Sequence, residues 1–243
     1  MPNAKENQMK HRIILLLLIF FTLSSCGQNT IPPNFVETQQ PKANSSEKRE
    51  LNYSENEFDV KILNNKLEVN KAESNNKSVL KIPNGTLVGS NHGEWGGKLI
   101  FIPDGKNQSE IVIKEGNLKF VFLFQNNIYF IEGLAHGSFN YGDLYQLNYS
   151  ENKFTYKSII HFEDSPEAFS IYKNKIYIVG YQNFYRIDNL KKEVIFKDAF
   201  WSGLYPSTIA IIDEKNVYLG IRSGIAKLNL PQRQIVYYKY IKH

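Results

Sequence analysis

Three of the five histidines in this 243-residue chain stand beside acids and aromatic rings. His92 opens the run His92-Gly93-Glu94-Trp95. His136 lies in a glycine-rich stretch, 133–142, that also holds Phe139 and Tyr141. His161 is followed by Glu163, Asp164 and Glu167. Such residues support three kinds of chemistry. A histidine beside a carboxylate can move protons. His92 and His136, with Glu94, Glu132 or Asp143, can ligate a metal ion. Trp95, Phe139, Tyr141, Trp201 and Tyr205 can stack on sugar rings or anchor a protein partner. Arg222 adds a cation for an anionic group.

The first two chemistries lack supporting motifs. No G-x-S-x-G nucleophile elbow is present, and the single cysteine, Cys26, stands alone near the start. The histidine spacing matches no metal motif. No cofactor, metal or catalytic residue is therefore assigned, and binding by aromatic residues is the favoured chemistry. An extracytoplasmic hydrolase or cyclase using the His and acidic residues is the rival reading. An immunity-type or envelope-surveillance role is a narrower variant of binding.

Cys26 has its own explanation. Lys5, Lys10 and Arg12 precede an apolar run, 13–23, too short to span a bilayer. Leu23-Ser24-Ser25-Cys26 then resembles the lipobox of bacterial lipoproteins. The resemblance implies removal of residues 1–25, a diacylglycerol on the Cys26 sulfur, and anchorage in the cell envelope by two or three acyl chains. Gly27 in place of Asp implies the outer membrane where the cell has two. The leader holds three of the 29 basic and one of the 24 acidic residues, so the remaining chain carries only +3. No nucleic-acid partner is expected at that charge. Residues 26–50 are polar and proline-bearing and read as a flexible tether, leaving 51–243 as one domain.

That domain shows no helical periodicity. Short β-branched and aromatic runs recur, punctuated by Asn, Gly, Asp and Lys. Three of them, around Tyr129, Tyr177 and Tyr218, share one pattern, with a polar or basic residue, a β-branched residue, Tyr and an apolar residue in order. Leu147, Ile187 and Leu228 sit in matching runs downstream. Each repeat resolves into four strands, A to D, and a looser copy begins near Ser78. Phe58–Ile62 and Leu67–Val69 add an N-terminal hairpin. Four-stranded units of this length resemble β-propeller blades. The expected fold is all-β and β-propeller-like, with four four-stranded repeats plus a hairpin that is either part of a fifth blade or a clasp.

Blade geometry sorts the loops. A–B and C–D turns fall on one face, B–C loops and D–A links on the other. The second face collects His92, Glu94, Trp95, His136, Phe139, Tyr141, His161, Trp201, Tyr205 and Arg222, and it is the expected face for a protein or glycan partner. Two B–C loops are expected to be long, 90–97 and 133–142. The hexapeptide Leu-Asn-Tyr-Ser-Glu-Asn occurs at 51–56 and 147–152. It reads as blade grammar near a C–D turn, with Phe58 opening an outer strand.

Overall fold

The computed structural model describes residues 31–73, 76–105, 108–150 and 153–242. The Cys26 box and the first residues of the expected tether lie outside them. Strand β1 (Phe35–Thr38) and a seven-residue helix α1 (Ser46–Asn52) come first. β2 (Phe58–Leu63) and β3 (Lys66–Lys71) form a hairpin. Four antiparallel sheets follow. The first holds β4 (Lys77–Ile82), β5 (Gly85–Ser90), β6 (Lys98–Pro103) and β7 (Ile111–Glu115). The second holds β8 (Leu118–Phe124), β9 (Asn127–His136), β10 (Phe139–Ser150) and β11 (Lys153–Phe162). The third holds β12 (Pro166–Tyr172), β13 (Lys175–Gly180), β14 (Phe184–Asp188) and β15 (Lys191–Phe196). The fourth holds β16 (Thr208–Asp213), β17 (Asn216–Ile221), β18 (Gly224–Asn229) and β19 (Gln234–Tyr240). Strands pair in chain order, and β1 joins the fourth sheet beyond β19. No helix among the described residues is long and apolar enough to cross a membrane.

The repeated tyrosine is a core residue. Tyr129, Tyr177 and Tyr218 are all buried on the second strand of their sheets. The residue before each tyrosine pairs with the expected partner on the third strand: Ile128 with Leu147, Ile176 with Ile187, Val217 with Leu228. Tight turns close the hairpins. Asn64–Asn65, Gln125–Asn126, Lys173–Asn174 and Asn189–Leu190 each place two consecutive residues at positive φ. That backbone matches the twist of the flanking strands, and Asn tolerates it best among residues with a side chain.

Side chains stitch the first strands of the sheets together in succession. The Ser78 hydroxyl on β4 accepts the Val121 N–H of β8 at 2.9 Å. Lys119 on β8 donates to Glu167 on β12 at 2.6 Å. The Tyr172 hydroxyl on β12 donates to the Ile212 carbonyl of β16 at 2.9 Å. Thr208 on β16 accepts the Val60 N–H of β2 at 2.7 Å. Asp59, Ser78, Lys119, Glu167 and Thr208 share one central cavity of about 550 Å³. The hairpin therefore stands where a fifth inner strand belongs, and the fold is all-β and propeller-like. Apolar clusters fill the spaces between neighbouring sheets.

Three expectations change. The folded unit begins at Pro32 and not at residue 51, so residues 32–50 are not a tether. Phe35 packs its ring 4.9 Å from Phe58 and 5.5 Å from Tyr240, and Leu51 of α1 is buried in the same cluster as Trp201. Two apolar anchors are enough to dock a segment that is otherwise polar. Second, the stretch 133–142 is no loop. β9 and β10 stay paired to their tip, with Gly133 opposite Gly142 and His136 opposite Phe139. The glycines serve packing, because Pro166 of the next sheet lies where either Cβ would go. Third, the two hexapeptide copies differ. The first spans the end of α1 and the turn after it, while the second lies on β10 as far as the described residues run. Phe58 opens the inner strand β2, which lies against β16 and β17.

Candidate functional site

The sheet tops build the site on the face that carries the second-to-third-strand connections. In the first sheet this connection holds a 3-10 turn, Gly93–Trp95. Gly93 and Gly96 sit at positive φ with open space around them, which lifts Trp95 outward until 84% of it is exposed. In the second sheet, β9 and β10 extend past their neighbours and carry His136 and Phe139 at the tip. The two features meet: Glu94 Oε2 lies 2.8 Å from His136 Nε2. This contact is an ion pair when the imidazole is protonated and a hydrogen bond otherwise.

Beyond His136 lies a cleft of about 280 Å³ lined by Ala135, His136, Gly137, Phe139, Asn140, Tyr181 and Tyr205. Phe139 is 60% exposed and Tyr205 44%. Tyr205 is held at positive φ, with its ring edge-on to Tyr181 at 6.3 Å and the Arg222 guanidinium 4.3 Å from its centroid. Burial, then the neighbouring Tyr205, raises the Tyr181 pKa above the usual tyrosine range, against a smaller opposing influence from a hydrogen bond with Ser202. Asn140 is less adaptable, since its side-chain oxygen already accepts the Ser165 N–H at 2.8 Å.

The structure gathers only part of the sequence-predicted set. Glu94, Trp95, His136, Phe139 and Tyr205 lie in or beside the cleft. Tyr141 is exposed on β10 opposite Leu134, outside the cleft lining. His92 Nδ1 lies 3.3 Å from the Asn76 amide nitrogen. His161 sits on β11, facing Asp143 at 3.3 Å. Two candidates serve the fold. Trp201 is fully buried and donates its indole N–H to the Gly180 carbonyl at 3.3 Å. Arg222 is committed to Glu57 and to the Asn52 carbonyl, tying the connection between β17 and β18 to the segment before β2. It is already paired and does not reach an anion on this face.

The acids after His161 are engaged as well. Glu163 accepts from Lys192 with both carboxylate oxygens at 2.7 Å and from the Tyr185 hydroxyl at 3.5 Å, and Glu167 accepts from Lys119. Asp164 is fully buried: it accepts the N–H groups of Gln182 and Asn183 at 2.7 and 3.0 Å and the Tyr185 hydroxyl. Gly180 leaves room for that carboxylate. Asp164 thus fastens the link after β11 to the connection between β13 and β14. Among the described residues, no three His, Cys, Asp or Glu side chains gather as a metal site. The cleft offers aromatic faces, one imidazole and two phenols, which suit non-covalent recognition of a ring. Tyr181 was missed in the sequence because it follows Gly180 directly at a strand end, where it reads as core.

No family model and no curated protein matches the chain. Solved structures similar to it include the N-terminal domain of Nup159, at 11% identity and TM-score 0.37, covering 61% of this chain and 44% of that one. The computationally designed Ika4 protein matches at 12% identity and TM-score 0.40, covering 70% and 94%. The Cps50 (Swd1) β-propeller domain of Myceliophteria thermophila matches at 10% and 0.39, covering 85% and 59%. The chain thus spans less than half of the first of these. None of the likenesses bears on function.

Proposed function

We propose that this protein is a non-catalytic binding module, anchored to the cell envelope through a lipid on Cys26, that engages a protein or glycan partner through its Trp95–Phe139–Tyr205 face. One observation carries the reading: large aromatic side chains stand exposed around a cleft on a single face. Trp95, Phe139 and Tyr205 are 84%, 60% and 44% exposed there, which costs solvation free energy unless something covers them. Glu94 and His136 join the loop that bears Trp95 to the hairpin that bears Phe139, so the rings are presented together. Anchorage rests on the Leu23-Ser24-Ser25-Cys26 box and implies the outer membrane in a two-membrane cell. Any tether is short, since the fold starts at Pro32.

A photo-crosslinker at position 95 in intact cells is expected to capture a partner. The double variant Trp95→Ala, Phe139→Ala is expected to lose that partner with an unchanged melting temperature, and a large drop in melting temperature would instead make these rings core residues. Cys26→Ser is expected to abolish acyl labelling and release the protein from membranes. Retention of unlabelled protein in the membrane would refute the anchor.

A further inference from the structure

The cleft does not end at Tyr181. That ring also borders a second cavity, of about 580 Å³, lined by Gln40, Asn44, Lys48, Arg49, Asn52 and Gln182 among others. Tyr181 is common to both linings, so the two cavities adjoin at its ring as two halves of a groove. Its two halves differ in chemistry. The Phe139–Tyr205 half is aromatic, and the other half is basic and rich in amides.

Helix α1 creates the basic half by sorting its charges. Lys48, Arg49 and Asn52 line the groove, while Glu47 turns to Lys239 at 3.4 Å and Glu50 lies off the lining. The Lys48 ammonium donates to the Phe200 carbonyl, which leaves two of its three donors for other partners. Burial lowers its pKa, the mark of a cation without full compensation. Arg49 is exposed, and its guanidinium makes no ion pair or hydrogen bond among the described residues. Asp198 is the one acid on the lining. Two cations against one acid favour an anionic guest.

The amides narrow the class further. Asn44 and Gln182 each carry a side chain that both donates and accepts, as sugar hydroxyls require, whereas a carboxylate only accepts; Gln40 and Asn52 add amides that also bond the Ile235 carbonyl and Arg222. No strand residue lines the basic half, which is walled by α1, residues 40–44, Tyr181 and Gln182, and the segment 198–203. An extended peptide therefore has no backbone ladder to join there.

We propose that the groove binds an acidic glycan: one sugar ring stacks against Phe139 and Tyr205, and an anionic group on a neighbouring sugar, carboxylate or phosphate, meets Arg49 and Lys48. This rests on the binding-module reading and names the partner of that same face. Bidentate pairing by an arginine fork suits either anion.

Titration calorimetry of the purified full protein in detergent tests it, with hexagalacturonate, pentamannose 6-phosphate, neutral pentamannose and a glutamate-rich octapeptide as probes. At least one acidic glycan is expected to bind about tenfold or more tighter than neutral pentamannose, and which one identifies the anion. Arg49→Gln is expected to remove most of that margin, and rising salt to erode it. Tyr205→Ala is expected to weaken acidic and neutral sugars alike. Equal binding of neutral and acidic sugars, tighter binding of the octapeptide, no response to Arg49→Gln, or no sugar binding would each overturn the proposal. Partner capture at position 95 without acidic-glycan binding would overturn it while leaving the module reading intact. Loss of capture as well would sink both.

Discussion

Tyr177 and Tyr218 occupy the same place in successive sheets yet meet different ends. The Tyr177 hydroxyl donates to Glu214 at 3.0 Å, while the Tyr218 hydroxyl is buried with no partner among the described residues. Burial is the main reason that both ionise late, near pH 12 instead of 10. In the unfolded chain these protons leave near the ordinary tyrosine value. Their contribution to stability is therefore whole below about pH 10 and is lost as pH rises toward 12. Tyr218→Phe removes a desolvated group that makes no bond. It is expected to raise stability by about 1 kcal/mol at pH 7 and to shrink the alkaline loss. Urea denaturation at pH 7 and pH 10.5 checks both, and a less stable variant would show that the hydroxyl has a partner. The tyrosine pattern was legible in the sequence. The difference between the two hydroxyls was not, since Glu214 reaches Tyr177 from the next sheet.

Elements with turn chemistry of their own were the most legible. Pairs such as Asn64–Asn65 and Lys173–Asn174 specify their bends locally, so the hairpins they close could be read directly. Elements that depend on distant surfaces were not. β1 exists because β19 offers an edge, and α1 is held by Leu51 in a cluster built largely from residues after 168. Phe35→Ala is expected to cost about 3–5 kcal/mol in urea denaturation, because its ring is buried against Phe58 and Tyr240. A neutral result would return this segment to the status of a tether. The stretch 133–142 was misread for a related reason. Glycine ordinarily marks a loop, but Gly133 and Gly142 are flat places on paired strands that admit Pro166 from the third sheet. That proline is more than twenty residues further along the chain.

At the scale of the whole molecule, the sheets are joined by side chains as well as by apolar contact. Lys119 and Glu167 link the second and third sheets beside the central cavity with little exposure of either side chain, 10% and 18%. Replacing either one alone with alanine is expected to cost about 2 kcal/mol, because a poorly solvated charge is left behind. The double replacement is expected to cost less than the two together, with a coupling on the order of 1 kcal/mol in a denaturation cycle. Strict additivity would mean that the pair is solvated and irrelevant to holding the sheets.

The sequence by itself determined the grammar of this protein: four four-stranded repeats, their register through the recurrent tyrosine, and the face on which the longer connections fall. These are short-range properties, written in alternation, turn residues and spacing. Only the tertiary structure decided which aromatic and charged residues remain available to a partner. Trp201 and Trp95 are equally plausible as words in a sequence, but one is buried in the apolar cluster that also holds Leu51 and the other stands on a glycine-flanked turn. Arg222 is spoken for by Glu57, whereas Arg49 stands unpaired among the described residues. Availability depends on what the rest of the chain brings alongside a residue, and no local pattern carries that information.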